Sequence, residues 1–124
     1  MSRRDDRVFL LHMRDAAQQA AAMVSGRTRA DLDSDAILML ALTRALEIVG
    51  EASKNVSQGF RDRHPELPWQ DIAGLRNRLI HEYFNVNLDL LWQIATEDAP
   101  MLERQINAVL LSLLGPASPG TAEA

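Results

Sequence analysis

Three features point to an all-α helical bundle: apolar residues recur at helical spacing through four long segments, polar connectors carrying glycine or proline separate them, and no run alternates with the period of a strand. There is no internal repeat and no glycine-rich phosphate loop. At 124 residues the chain can bury one core but not two. Its 47% hydrophobic and 24% charged residues are the balance of a soluble globular protein. The expected architecture is an antiparallel bundle of four to five helices over residues 1–114, with a kinked last helix and a flexible tail over residues 115–124.

The first helix is expected from about Asp5 to Val24, where Val8, Leu11, Ala16 and Met23 fall at helical spacing, and it stops at Ser25-Gly26. The connector GRTRADLDSD follows, with aspartates and Ser34 suited to capping the next helix. That second helix, about Asp35 to Gln58, is apolar on more than one face (Ile37, Leu38, Leu40, Leu42, Leu46, Ile48, Val49, Ala52). It is therefore either the central helix of the bundle or partly a subunit contact. Gly50 within it costs about 1 kcal/mol against alanine, a cost tolerated where another backbone comes close. The connector SQGFRDRHPELP leads to Pro68, placed to open a third helix, Pro68 to Phe84. The fourth helix starts after Asn87, a plausible N-cap, and runs to Leu114 with Pro100 bending or splitting it.

Composition removes several function classes. With no cysteine, a disulfide framework, a thiolate metal site and a cysteine nucleophile are all impossible. The start MSRRDDRVFLLHMRDAA carries aspartates, and His12 and Arg14 break its apolar run, so it does not read as a signal peptide. No apolar stretch has the roughly 18–20 residues of a membrane span, and a cytoplasmic location is expected. A net charge of −4 and a pI near 5.3 argue against a basic coat for nucleic acid but leave room for a small basic site. His12 and His64 lack neighbours at metal-ligand spacing, and neither a metal nor a cofactor is expected. Arg61 and Arg63 read as a solvated pair, with RNA phosphate contact as the alternative.

The third helix holds an anomaly in the stretch GLRNRLIHEYF. At about 100° per residue, Trp69, Ile72, Ala73, Leu79, Ile80 and Tyr83 all fall within roughly 60° of Arg76, so the core-facing stripe is centred on an arginine. A guanidinium does not give up its charge, and burying it unpaired costs several kcal/mol. It needs a carboxylate, for which Glu47 and Glu51 are the candidates, or a wet cleft that admits an anion. Asn77 and His81 lie around the margin of the stripe and Tyr83 returns to it. One helix does not converge these groups, whereas two copies about a two-fold axis bring two arginines and two histidines to one cleft. RNA cleavage by the 2′-hydroxyl requires a base, an acid and a fixed cation; imidazoles and arginines supply these without a metal.

The spacing Arg76-Asn77-x-x-x-His81-x-Tyr83 resembles the Rx4HxY motif of the HepT-like toxins, a branch of the HEPN superfamily. Leu46-Glu47-Ile48-Val49-Gly50-Glu51-Ala52 is similar to that family's central-helix segment, Leu67-Pro68-Trp69 to its lead into the motif helix, and the bent last helix with Trp92 to its final helix. The resemblance covers roughly residues 4 to 113. It implies a HEPN-like bundle and a metal-independent endoribonuclease that forms a homodimer around a composite cleft. Arg76 and His81 would be catalytic, with Asn77 orienting them. It further implies a toxin whose antitoxin is a minimal nucleotidyltransferase that moves AMP onto Tyr83, putting a phosphate beside Arg76 and blocking the cleft. Asn87 stands where the family often has an aspartate. Two alternatives stay open: a noncatalytic helical adaptor that binds a nucleotide or docks the nucleotidyltransferase, and a plain bundle in which Arg76 is an enclosed ion pair.

Overall fold

Leu10, Met13, Ala17, Ala20 and Val24 are buried along one stripe of helix α1 (Arg3–Val24), which the computed structural model places in the middle of the bundle. The structure describes residues 3–82 and 85–113, with side chains from Asp6 onward. Short helix α2 (Asp31–Ser34) occupies the first connector, and Asp35 caps α3 (Ala36–Lys54) by accepting a 3.0 Å hydrogen bond from the Leu38 backbone N–H. Leu38, Leu42, Leu46 and Val49 of α3 pack onto α1, and α8 (Ala99–Leu113) packs on another side of α1 through Ala99, Leu102, Ile106 and Val109.

Near its N-terminus, α1 reaches the far end of α3, so the two helices run antiparallel. The buried Asp6 carboxylate accepts from the Ser57 backbone N–H at 2.7 Å and from the Ser57 hydroxyl at 2.8 Å. Ser57 in turn caps α4 (Gln58–Arg63), accepting from the Phe60 N–H at 3.2 Å. The second helix thus ends at Lys54 rather than Gln58, because Ser57 is held by α1 and Phe60, buried beneath the connector, pins a separate short helix.

The expected third helix over Pro68–Phe84 is not continuous. It is divided into α5 (Trp69–Ala73) and α6 (Leu75–Leu79) at Gly74, and the chain then turns into strand β1 (Ile80–Glu82), which pairs antiparallel with β2 (Asn85–Val86). The run Ile80 to Val86 is rich in β-branched and aromatic residues, which favour strand over helix. Ile80 opposes Val86, both are half-buried against the core, and the Asn87 N–H closes back on the Leu79 carbonyl at 2.8 Å. Tyr83, Phe84 and the expected tail over residues 115–124 lie outside the described residues.

Asn87 caps α7 (Leu88–Gln93), its side chain accepting from the Leu90 N–H at 3.1 Å. The bend ahead of Pro100 takes the form of a π-helical turn at Ile94–Asp98, directly before α8. Proline has no N–H to donate, and a widened turn accommodates the lost bond. Among the described residues no helix is long and apolar enough to cross a membrane.

Candidate active site

The three-residue run Arg76-Asn77-Arg78 is exposed because the buried residues of α5 and α6 are Ile72, Leu75 and Leu79. Within α6, Leu75 and Leu79 lie roughly 100° and 60° to the same side of Arg76, so the arginine borders the apolar face instead of occupying its middle. This corrects the expectation of a core-embedded guanidinium. The Arg76 side chain is 56% exposed, and its Nε lies 3.4 Å from Oε2 of Glu47, which is only 19% exposed.

Of the two expected partners, Glu47 meets Arg76 and Glu51 does not. Arg44, one turn earlier on α3, sits 4.0 Å from Oε1 of Glu47 and 3.9 Å from Oε1 of Glu51. Two guanidiniums therefore flank one half-buried carboxylate. Arg44 was missed in the sequence, although its i, i+3 and i+7 spacing to Glu47 and Glu51 marks one helix face. With Glu47 on the Nε edge of Arg76, the terminal Nη groups are left for an incoming anion, and a guanidinium suits two phosphate oxygens.

Asn77 follows on α6 and is exposed, and its side chain makes no hydrogen bond among the described residues. His81 is on β1, also exposed and without a hydrogen-bond partner among the described residues. His81 falls where the β1–β2 register shifts between Ile80 and Glu82, and both it and Glu82 are exposed. Arg76, Asn77 and His81 thus belong to one exposed α6–β1 segment, but none hydrogen-bonds another within the protomer. Tyr83, the fourth expected site residue, lies outside the described residues.

The supporting charges lie further out. Arg29, in the first connector, reaches Asp89 in the first turn of α7 at 2.8 Å and Asp33 at 3.3 Å, which tethers that connector to the segment following the site. Its guanidinium is held above its ordinary value chiefly by the Asp89 hydrogen bond. Glu66 is pulled below the usual carboxylate range by a hydrogen bond with His64 at 3.0 Å.

The ribonuclease HepT-like family profile matches residues 13–109. The protein named "Putative RNase TTE0752" of Caldanaerobacter subterraneus subsp. tengcongensis is 39% identical over 84% of this chain and 93% of its own length. "Putative RNase MJ1380" of Methanocaldococcus jannaschii is 36% identical over 88% of this chain and all of its own length, 100%. "Probable ribonuclease HepT" of Thermococcus cleftensis is 47% identical over 59% of this chain and 66% of its own length. No solved structure matches the chain. The chain belongs to the ribonuclease HepT-like family and is an endoribonuclease by that membership.

Proposed function

We propose that this chain is the RNase toxin of a toxin–antitoxin pair, cutting RNA without a metal in a cleft formed by two copies. The observation that carries the reading is the Arg76 guanidinium: paired on one edge with Glu47, open to solvent on the rest, and one residue before Asn77 on the segment that leads into His81. The RNA 2′-oxygen attacks the adjacent phosphorus, an O–P bond forms, and the bond to the 5′-oxygen breaks. One His81 imidazole takes the 2′-hydroxyl proton and the other protonates the leaving 5′-oxygen, while Arg76 holds the charged phosphorane. Asn77 orients the pair. Arg76, Asn77 and His81 make no hydrogen bond to one another among the described residues, and a second copy brings the complementary set.

The outward face of α3 supports a two-fold contact. Ile37 is 80% exposed and Leu40 63%, and they continue the line of Arg44, Glu47 and Glu51. Such large apolar side chains on a charged face suit burial by a second copy. Tyr83, two residues after His81, is the proposed acceptor of AMP from a minimal nucleotidyltransferase antitoxin. The added phosphate would occupy Arg76 and shut out RNA.

The test combines intact mass with cleavage. Protein purified alone and carrying no added nucleotide mass cuts single-stranded RNA in the presence of a chelator. Incubation with the partner enzyme and ATP adds one AMP mass per protomer at Tyr83 and stops cleavage. Unmodified protein that forms a complex but leaves RNA intact would establish the noncatalytic adaptor instead.

A further inference from the structure

Beyond the Arg76 segment, an open groove lies where α4 meets α5. It measures about 680 Å3, within the roughly 300–1,000 Å3 of small-ligand sites. Gln58 and Arg61 border it from α4, Trp69 and Gln70 from α5, and Pro65 from the loop between. Arg61 forms no ion pair among the described residues, and its Nε–H is closed off from solvent with no hydrogen-bond partner. The acidic groups at the groove are Asp62, whose carboxylate already accepts from the Gln58 amide at 2.8 Å, and Asp71.

The surroundings hold this arrangement in place. Trp69 donates its indole N–H to the His64 carbonyl at 2.8 Å and meets Phe60 edge-on, with ring centroids 6.4 Å apart, while His64 stacks on Phe60 at 4.5 Å. The groove therefore presents one aromatic side chain, Trp69, fixed by its contacts with Phe60 and His64, with an unneutralised guanidinium and two amides placed around it.

Its position relates it to the active site. Along α3, Glu47 pairs with Arg76, and one turn later Gly50 lies under the carbonyls of Ile72 and Ala73, where α5 crosses. Ala73 also borders the groove, so Arg76 and the groove are separated by about one turn of the α5–α6 segment.

From this geometry we infer that the α4–α5 groove is a subsite for a nucleotide flanking the cleaved bond. Arg61 binds the phosphate, Trp69 offers a stacking surface, and the amides of Gln58 and Gln70 read the base edge. Phosphate contacts position a strand, whereas stacking and amide contacts select among unpaired bases. The subsite rests on the reading of Arg76 and His81 as the cleavage site, and it makes the enzyme sensitive to sequence beside the cut.

Binding of a labelled single-stranded RNA 12-mer by full-length protein carrying His81→Ala, followed by fluorescence anisotropy at several salt concentrations, tests it. Arg61→Gln should weaken binding by about tenfold and reduce the slope of log affinity against log salt by about 0.7, one phosphate's worth on a single strand. Arg61→Lys should restore the slope. The exposed Gln70→Ala should alter base preference without altering melting, which separates recognition from folding; Arg104→Gln on α8 should change neither. In chains with His81 intact, Arg61→Gln raises KM and leaves kcat, because the contact is the same before and during reaction. Cleavage that proceeds with KM, slope and base preference unchanged in both groove variants overturns the subsite alone. RNA bound through Arg61 but never cut overturns the nuclease site alone, and a chain that neither binds nor cuts RNA overturns both.

Discussion

The Arg76–Glu47 pair is open rather than enclosed, and that decides what its removal should do. His81→Ala removes an exposed ring with no hydrogen bond among the described residues, so the melting temperature should hold while cleavage falls by about 10²–10⁴-fold, the usual size of a proton-transfer contribution. Cleavage at the parental rate would sink the role assigned to His81. Arg76→Ala should lose cleavage as well, with melting checked because Glu47 is then left half-buried beside Arg44 alone. Asp35 offers a pH test. Its carboxyl is held below 3.8, first by the Leu38 N–H and then by Arg27, so the stabilisation is present above that value and is lost as pH falls through the lower folded value. Acid melts of Asp35→Ala should converge with the parent at low pH and separate from it near neutrality. Curves that stay equally far apart throughout would remove the charged cap as the cause.

Where α5 crosses α3, backbone meets backbone. A Cβ at Gly50 would lie 2.9 Å from the Ile72 carbonyl, so Gly50→Ala sets about 1 kcal/mol of helix propensity against an overpacking cost of about 1–3 kcal/mol. Lower melting and reduced cleavage are expected together, because α5 carries the motif helix with it. Gly59→Ala is the contrast: its Cβ meets only Arg63 Nη1 at an ordinary 3.5 Å, and it should be neutral or slightly stabilising. The sequence already marked Gly50 as a close approach, and the first, second and last helices, the Asn87 cap and an α3 carboxylate, Glu47 or Glu51, as Arg76's partner were equally legible, since each follows from local pattern and charge. The helix-to-strand switch after Leu79 was not. A helical projection from Trp69 through Tyr83 looked self-consistent, yet Gly74 interrupts it and β-branched pairing of Ile80 with Val86 replaces it, so angles reckoned across that break lost their meaning.

For the assembly, the outward line of Ile37 and Leu40 on α3 is the surface to perturb. Ile37→Asp should convert a dimer to a monomer in light scattering, leave helical content unchanged, and abolish cleavage, since each protomer offers a single His81. A monomeric parent that cleaves RNA would exclude the composite cleft. What the chain's own pattern determined was the bundle, its capped helices and the set of polar groups worth watching, because periodicity and capping are local properties. Which of those groups face solvent, that Glu47 and not Glu51 meets Arg76, and that Arg61 borders a groove beside α5 came only with folding. These depend on how α3 and α5 cross at Gly50, a contact between residues more than twenty positions apart that no local pattern encodes.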